Sequence, residues 1–262
     1  MIRHPLLRCG LFIVFYVLGL MLFSSWARSL YSALIVNQIA IFGATIVMLA
    51  MERRGFAFVG LSLASGWWRE ALAGLGLGVA TISATIGVIL ATTHAEGWHW
   101  AGHEWHPLQW LAICGLVLLA AAGEELLFRG YGFQRLLETF GPLLSLALVS
   151  FVFGALHGRN PHASWISMAN TILSGLLFGA AYLRTRRLWL PIGWHWGWNL
   201  WQATLGFPVS GITFPQGTMP FAWDGGGYGP EAGLPATVVL ILALVLVVRW
   251  RQSGSHAWQL QS

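Results

Sequence analysis

The sequence predicts an all-α fold: a polytopic membrane helical bundle of about eight transmembrane helices, a single membrane domain over residues 1–262, with N- and C-termini cytoplasmic. Three observations carry this. Hydrophobic residues make up 56% of the chain and charged ones 9%, with a mean hydropathy of +0.67, too apolar for a soluble domain of 262 residues. Apolar runs suited to a hydrocarbon core of ~30 Å, which takes about 20 helical residues to cross, recur along the whole chain. All basic residues are arginine, and they gather in alternate connections, as the cytoplasmic bias of positive charge requires.

Taken in order, the first span is Leu11–Trp26, behind Arg3 and Arg8. It resembles a signal peptide, with a small-x-small site at Ser25-Trp26-Ala27, but Trp26 and the following Arg28 are poor surroundings for cleavage and the helix is read as retained. Tyr31–Met51 ends at Arg53 and Arg54, and Ala71–Thr93 follows Arg69. Pro107–Gly123 and Leu143–His157 flank Arg129 and Arg135, and Ser164–Leu183 runs into Arg184, Arg186 and Arg187. Trp189–Phe207 starts just after that cluster, and Leu234–Val248 ends at Arg249 and Arg251. With the N-terminus inside, only Arg28 and Arg159 fall outside.

The basic pI of about 9.9 reflects scarce acids, so no nucleic-acid partner is expected. Cys9 and Cys114 show no disulfide or metal spacing. The loop from Thr93 to Pro107 holds His99, His103, Glu104 and His106, a conceivable surface metal site. It is read instead as an interfacial loop, as is the Gly- and Pro-rich segment from Pro208 to Pro235. Gly175 and Gly179 form a small-xxx-small pair that permits close helix packing, with oligomeric state left open.

Ionisable side chains inside a span cost about 2.5–3.5 kcal/mol each on insertion scales and point to function. Here they are Glu124, Glu125, His157 and His195, with Asn170, Asn199 and Gln202 as neutral companions. "TFGP" at Thr139–Pro142 marks a turn, with Pro107–Thr139 as one long or broken helix before it. Glu124 lies 17 residues before Gly141 and His157 lies 16 after it, so in a helical hairpin both reach about 25 Å from the turn. His195 and Asn199 share a helix face by i,i+4 spacing, Gln202 continues the stripe, and Trp194, Trp198 and Trp201 occupy another face as packing or lipid contacts. Glu125 and Arg129 form an i,i+4 ion pair, while Glu124 points elsewhere, free to take a proton from water with His157. His195 and Asn199 would then offer donors to an oxyanion.

These residues form three motifs: E-E-x-x-x-R at Glu124, Glu125 and Arg129, F-x-x-x-H at Phe153 and His157, and H-x-x-x-N at His195 and Asn199. The ordered set resembles the CPBP (CAAX-processing and bacteriocin-processing, or Abi) family of intramembrane proteases, which includes the type II CAAX prenyl endopeptidases, with residues 107–206 as the catalytic core. The resemblance implies an endopeptidase in which Glu124 and His157 activate water, His195 and Asn199 stabilise the oxyanion, and Glu125 and Arg129 support them. Family members have been described as glutamate-dependent and as metal-dependent. Glu124, His157 and His195 could ligate zinc, but the asparagine is a poor zinc ligand and no cofactor is the favoured reading. The partners implied are a membrane-associated protein or peptide substrate, CAAX-like and lipidated in the eukaryotic branch, and the lipid bilayer. The expected setting is a bacterial inner membrane, with the site reached from the cytoplasmic side.

Rival proteases are disfavoured: there is no H-E-x-x-H, Ser174-Gly175 with His195 lacks the Gly that a rhomboid-like dyad carries before its serine, and Cys114 has no base at its depth. A non-catalytic membrane chaperone or bacteriocin-immunity factor using the same cavity is the alternative. A transporter would need paired broken helices or an inverted repeat, which the sequence does not display.

Overall fold

The computed structural model of the 262-residue chain describes residues 4–92, 106–212 and 225–250. The histidine- and tryptophan-rich loop therefore lies outside the described residues except for its last two, His106 and Pro107. Eight α-helices are described: α1 (Pro5–Phe23), α2 (Leu30–Glu52), α3 (Trp67–Thr92), α4 (Pro107–Arg129), α5 (Tyr131–His157), α6 (Trp165–Thr185), α7 (Trp189–Thr204) and α8 (Leu234–Arg249). Among the described residues there is no strand, only an isolated bridge between Val209 and Ile212. Five helical stretches are long and apolar enough to cross a membrane, with Pro107–His157 counted as one. Leucines such as Leu143 on α5 and Leu242 and Leu246 on α8 face outward, as expected of a surface meant for lipid.

Local chemistry places the breaks. Ser29 and Ser164 start α2 and α6 with reciprocal capping boxes to Ser32 and Ser167. The expected long helix from Pro107 is broken twice. Gly130 leaves helical geometry at φ −80°, ψ −126°, and Gly141 does so at φ 71°, ψ 178°, ahead of Pro142, which lacks an N–H to continue the ladder. The second break is the turn the sequence marked.

Contacts between connections define two ends of the bundle. At one, Leu188 N donates to Gly60 O, joining the α2–α3 and α6–α7 connections, and Arg187 pairs at 3.2 Å with Glu70 in the first turn of α3. Glu52 of α2 meets Arg8 of α1 at 3.3 Å and Arg135 of α5 at 3.4 Å at the same end. At the other, Asn160 Nδ2 donates to Ser210 O (3.1 Å), and Asn170 Nδ2 donates to Glu231 O (2.8 Å) and Gly233 O (2.9 Å), joining α6 and the α5–α6 connection to the α7–α8 connection.

α7 is pressed against α3 backbone to backbone. Gly74 and Gly78 of α3 interlock with Gly193 and Gly197 of α7, and a Cβ at any of the four would overlap a carbonyl oxygen of the facing helix. Gly175 and Gly179 are likewise consumed within the chain, against Ser150 and Leu146 of α5. Gly78→Ala is expected to lower thermal stability by about 1–3 kcal/mol through overpacking, whereas Gly76→Ala, with nothing within 4 Å of its Cβ, leaves it unchanged. Thermal unfolding in detergent compares the two, and equal effects would contradict this packing.

Candidate active site

Three helices bring the predicted residues together. Glu124 Oε2 lies 3.9 Å from His157 Nε2 and 3.8 Å from His195 Nε2, and is buried without a hydrogen-bond partner. The equal-depth estimate for Glu124 and His157 thus matches their contact. His157 Nδ1 lies 2.8 Å from the carbonyl of Phe153, one turn back. A carbonyl only accepts, so Nδ1 carries the proton and Nε2 is the nitrogen turned to Glu124.

Glu125 and Arg129 form the expected pair, 3.1 Å apart, with side chains 0% and 1% exposed. Two further contacts were not legible in the sequence. The same Glu125 oxygen lies 3.0 Å from His195 Nδ1, and Arg129 donates to Gly175 O at 3.1 Å. A buried chain therefore runs from the α6 backbone through Arg129 and Glu125 to His195, and leaves His195 Nε2 facing Glu124. Aromatic rings surround it: Arg129 sits 4.8 Å from the Phe153 ring centroid, and His195 stacks on Phe178 at 5.1 Å and 19°. Phe153 also touches the His157 ring at 4.5 Å, which gives the phenylalanine of the second motif a physical role.

Asn199 sits one turn beyond His195, and the two line both cavities at the site. The larger cavity, about 330 Å³, is walled largely by apolar side chains of α2 and α4, with Glu124, His157, His195 and Asn199 among its polar groups. The smaller, about 30 Å³, has room for a water or two. Gln202 departs from the expected stripe, turning to Pro208 O instead. Trp194 and Trp198 are buried packing residues with bonded indoles, Trp194 to Thr81 at 3.1 Å and Trp198 to Glu231 at 3.3 Å, and neither is a lipid contact.

Glu231 is the residue sequence reasoning missed. It lies on the α7–α8 connection, outside the spans, and lines the smaller cavity with His157, His195 and Asn199. Its carboxylate accepts from Trp198 Nε1 and from Ser210 N. Burial pushes the Glu231 carboxyl up from its ordinary 4.5, against the opposing pull of the Ser210 hydrogen bonds and the His157 charge. The folded state therefore holds this proton more tightly than the unfolded chain. Its contribution is full below pH 4.5 and is lost as pH rises through the folded value. Wild-type Tm is expected to fall relative to Glu231→Gln as pH is raised above 4.5, and a pH-independent difference would contradict this.

Among the described residues, no group of three or more His, Cys, Asp and Glu side chains is arranged to hold a metal ion. Nδ1 of each histidine is held, by Phe153 O or by Glu125, which leaves both Nε2 atoms turned to Glu124.

Leu30 and Tyr31 in the first turn of α2, each 47% exposed, line the larger cavity with Asn160 and with Val209, Ser210 and Ile212. All belong to the end of the bundle away from the α2–α3 and α6–α7 connections, where the arginines cluster.

The fold and the site define a class, a helical membrane protein that holds a carboxylate, two histidines and an asparagine around an internal cavity. Residues 105–201 match the family model described as Type II CAAX prenyl endopeptidase Rce1-like, which bears out the resemblance carried by the three motifs. The match supports, in general terms, a CAAX-type intramembrane protease with a membrane-associated protein substrate. No curated protein and no solved structure matches the chain.

Proposed function

We propose that the protein is an intramembrane endopeptidase, with residues 107–206 as its catalytic core, that hydrolyses a peptide bond of a membrane-associated protein without a metal ion. The observation that carries this reading is the convergence of Glu124 Oε2 with the free nitrogens of His157 and His195, at 3.9 and 3.8 Å, beside an apolar cavity. These gaps are too long for direct hydrogen bonds, yet a water about 2.8 Å from both Glu124 Oε2 and His157 Nε2 would bond to each. Glu124 takes a proton from that water as its oxygen attacks the scissile carbonyl. His195, protonated on both nitrogens, and the Asn199 amide donate to the oxyanion, with the Glu125–Arg129 pair fixing the His195 ring. As the tetrahedral intermediate collapses, the C–N bond breaks and the proton held by Glu124 passes to the leaving amine.

In the same proposal the chain crosses a bacterial inner membrane eight times with both termini cytoplasmic, following the arginine distribution. The test is to incubate purified wild type in detergent with a library of membrane-tethered peptides, with and without a chelator, and to identify products by mass spectrometry. Cleavage that survives chelation supports the proposal. Loss on chelation with rescue by zinc would make Glu124 a ligand, and a folded protein that cuts no peptide would favour the chaperone or immunity-factor alternative.

A further inference from the structure

The larger cavity carries a polar pair that the reaction proposed above does not use. Tyr16 of α1 and Asn37 of α2 both line it, together with Glu124, His157, His195 and Asn199, and the Tyr16 hydroxyl donates to Asn37 Oδ1 at 2.7 Å. Asn160 and Ser210, polar lining residues of the same cavity, are engaged elsewhere: Asn160 Nδ2 bonds to Ser210 O, and Ser210 N to Glu231. Asn37 differs, because among the described residues no hydrogen bond engages its Nδ2. The Tyr16 oxygen, which gives its proton to Asn37, keeps lone pairs of its own. Both residues lie in helices long and apolar enough to cross a membrane, where an amide N–H without a partner is costly. A bond that served only to hold α1 against α2 would have no reason to leave that N–H open beside a cavity.

The pair presents an N–H donor from Asn37 beside an acceptor from Tyr16. One residue of an extended peptide is its complement, since the N–H and C=O of that residue point to the same side of the strand. From this we propose that Tyr16 and Asn37 form a substrate subsite that binds the backbone of one extended residue, away from the scissile bond whose carbonyl meets His195 and Asn199. Asn37 Nδ2 donates to the C=O of that residue, and Tyr16 Oη accepts from its N–H. This rests on the peptidase reading for the nature of the ligand, and on the cavity and the Tyr16–Asn37 bond for its place. Contacts of this kind read main chain rather than side chain, so the pair sets the register of the substrate, and its side chains are left to apolar walls such as Leu34, Val117 and Phe128. Tyr16 and Asn37 precede the matched residues 105–201, so the subsite is supplied by helices outside that stretch.

The test takes a membrane-tethered peptide that the wild type cleaves in detergent and replaces its amides by esters one at a time, leaving the scissile bond intact. Each ester removes one backbone N–H and weakens the carbonyl before it. One ester is expected to lower kcat/KM of the wild type about tenfold by removing the N–H bound to Tyr16, and to cost Tyr16→Phe almost nothing. The ester at the next position, which weakens the carbonyl bound to Asn37, should likewise cost the wild type more than Asn37→Leu, and it decides the matter if Tyr16→Phe does not fold. A pair that only packs α1 on α2 would slow every peptide alike. Ester effects equal in wild type and both variants therefore overturn the proposal, as does a wild type indifferent to every ester. If the wild type cuts no peptide of the library, the peptidase reading fails, and retention of the same library on immobilised protein decides the subsite separately. Weaker retention of a bound peptide by Asn37→Leu than by wild type supports it, and equal retention, or none by either, overturns it.

Discussion

Replacing Arg129 by methionine is expected to cost about 3–5 kcal/mol of stability, the largest effect of any single substitution in this site. The Glu125–Arg129 pair is 0% and 1% exposed, so loss of the guanidinium leaves a carboxylate sealed from water with only His195 to meet it. The tie to Gly175 O is lost as well, which loosens α6 from α4. Much of that cost is the penalty of an unpaired buried charge rather than the net worth of the pair. The double variant Glu125→Gln/Arg129→Met should therefore recover part of the stability. Thermal unfolding in detergent, followed by tryptophan fluorescence, measures both, and a double variant less stable than the single would contradict the account.

Glu124→Gln is expected to reduce cleavage by about 10²–10⁴-fold, the range for removing a positioned general base. Its effect on stability should be small. Glu124 has a side chain 29% exposed, its ion-pair contacts among the described residues are the two histidines at 3.9 and 3.8 Å, and Oε2 has no hydrogen-bond donor, so an amide of the same shape breaks no direct hydrogen bond at that oxygen. The two substitutions thus separate roles that adjacent residues of one motif carry: Glu125 and Arg129 hold the site together, and Glu124 faces the reacting groups. The measurement is the cleavage rate of a peptide the wild type cuts, with both proteins shown to unfold at the same temperature. A variant that cuts at the wild-type rate would remove Glu124 from the mechanism.

Much of this arrangement could be read from spacing because helices convert residue number into depth. The 17 and 16 residues on either side of Gly141 placed Glu124 and His157 level, and i,i+4 spacing placed Glu125 on Arg129. What spacing cannot give is the rotation of one helix against another. That rotation turns His195 Nδ1 to Glu125 and buries Trp198, which a helical wheel had left open to lipid. Glu231 was illegible for a different reason. It follows Asn199 by 32 residues, on the connection beyond α7, and is held at the site by Asn170 of α6 and Trp198 of α7.

The central claim, that Glu124 and His157 act as one water-activating unit, is tested most directly by a double-mutant cycle on cleavage of a single identified peptide. Groups that act as a unit are not additive, so once either single variant, Glu124→Gln or His157→Ala, has lost activity, combining them should slow the reaction little further. The account predicts a double variant about as fast as the slower single. If the two losses multiply instead, the residues act independently, and the shared water between them is not how this site works.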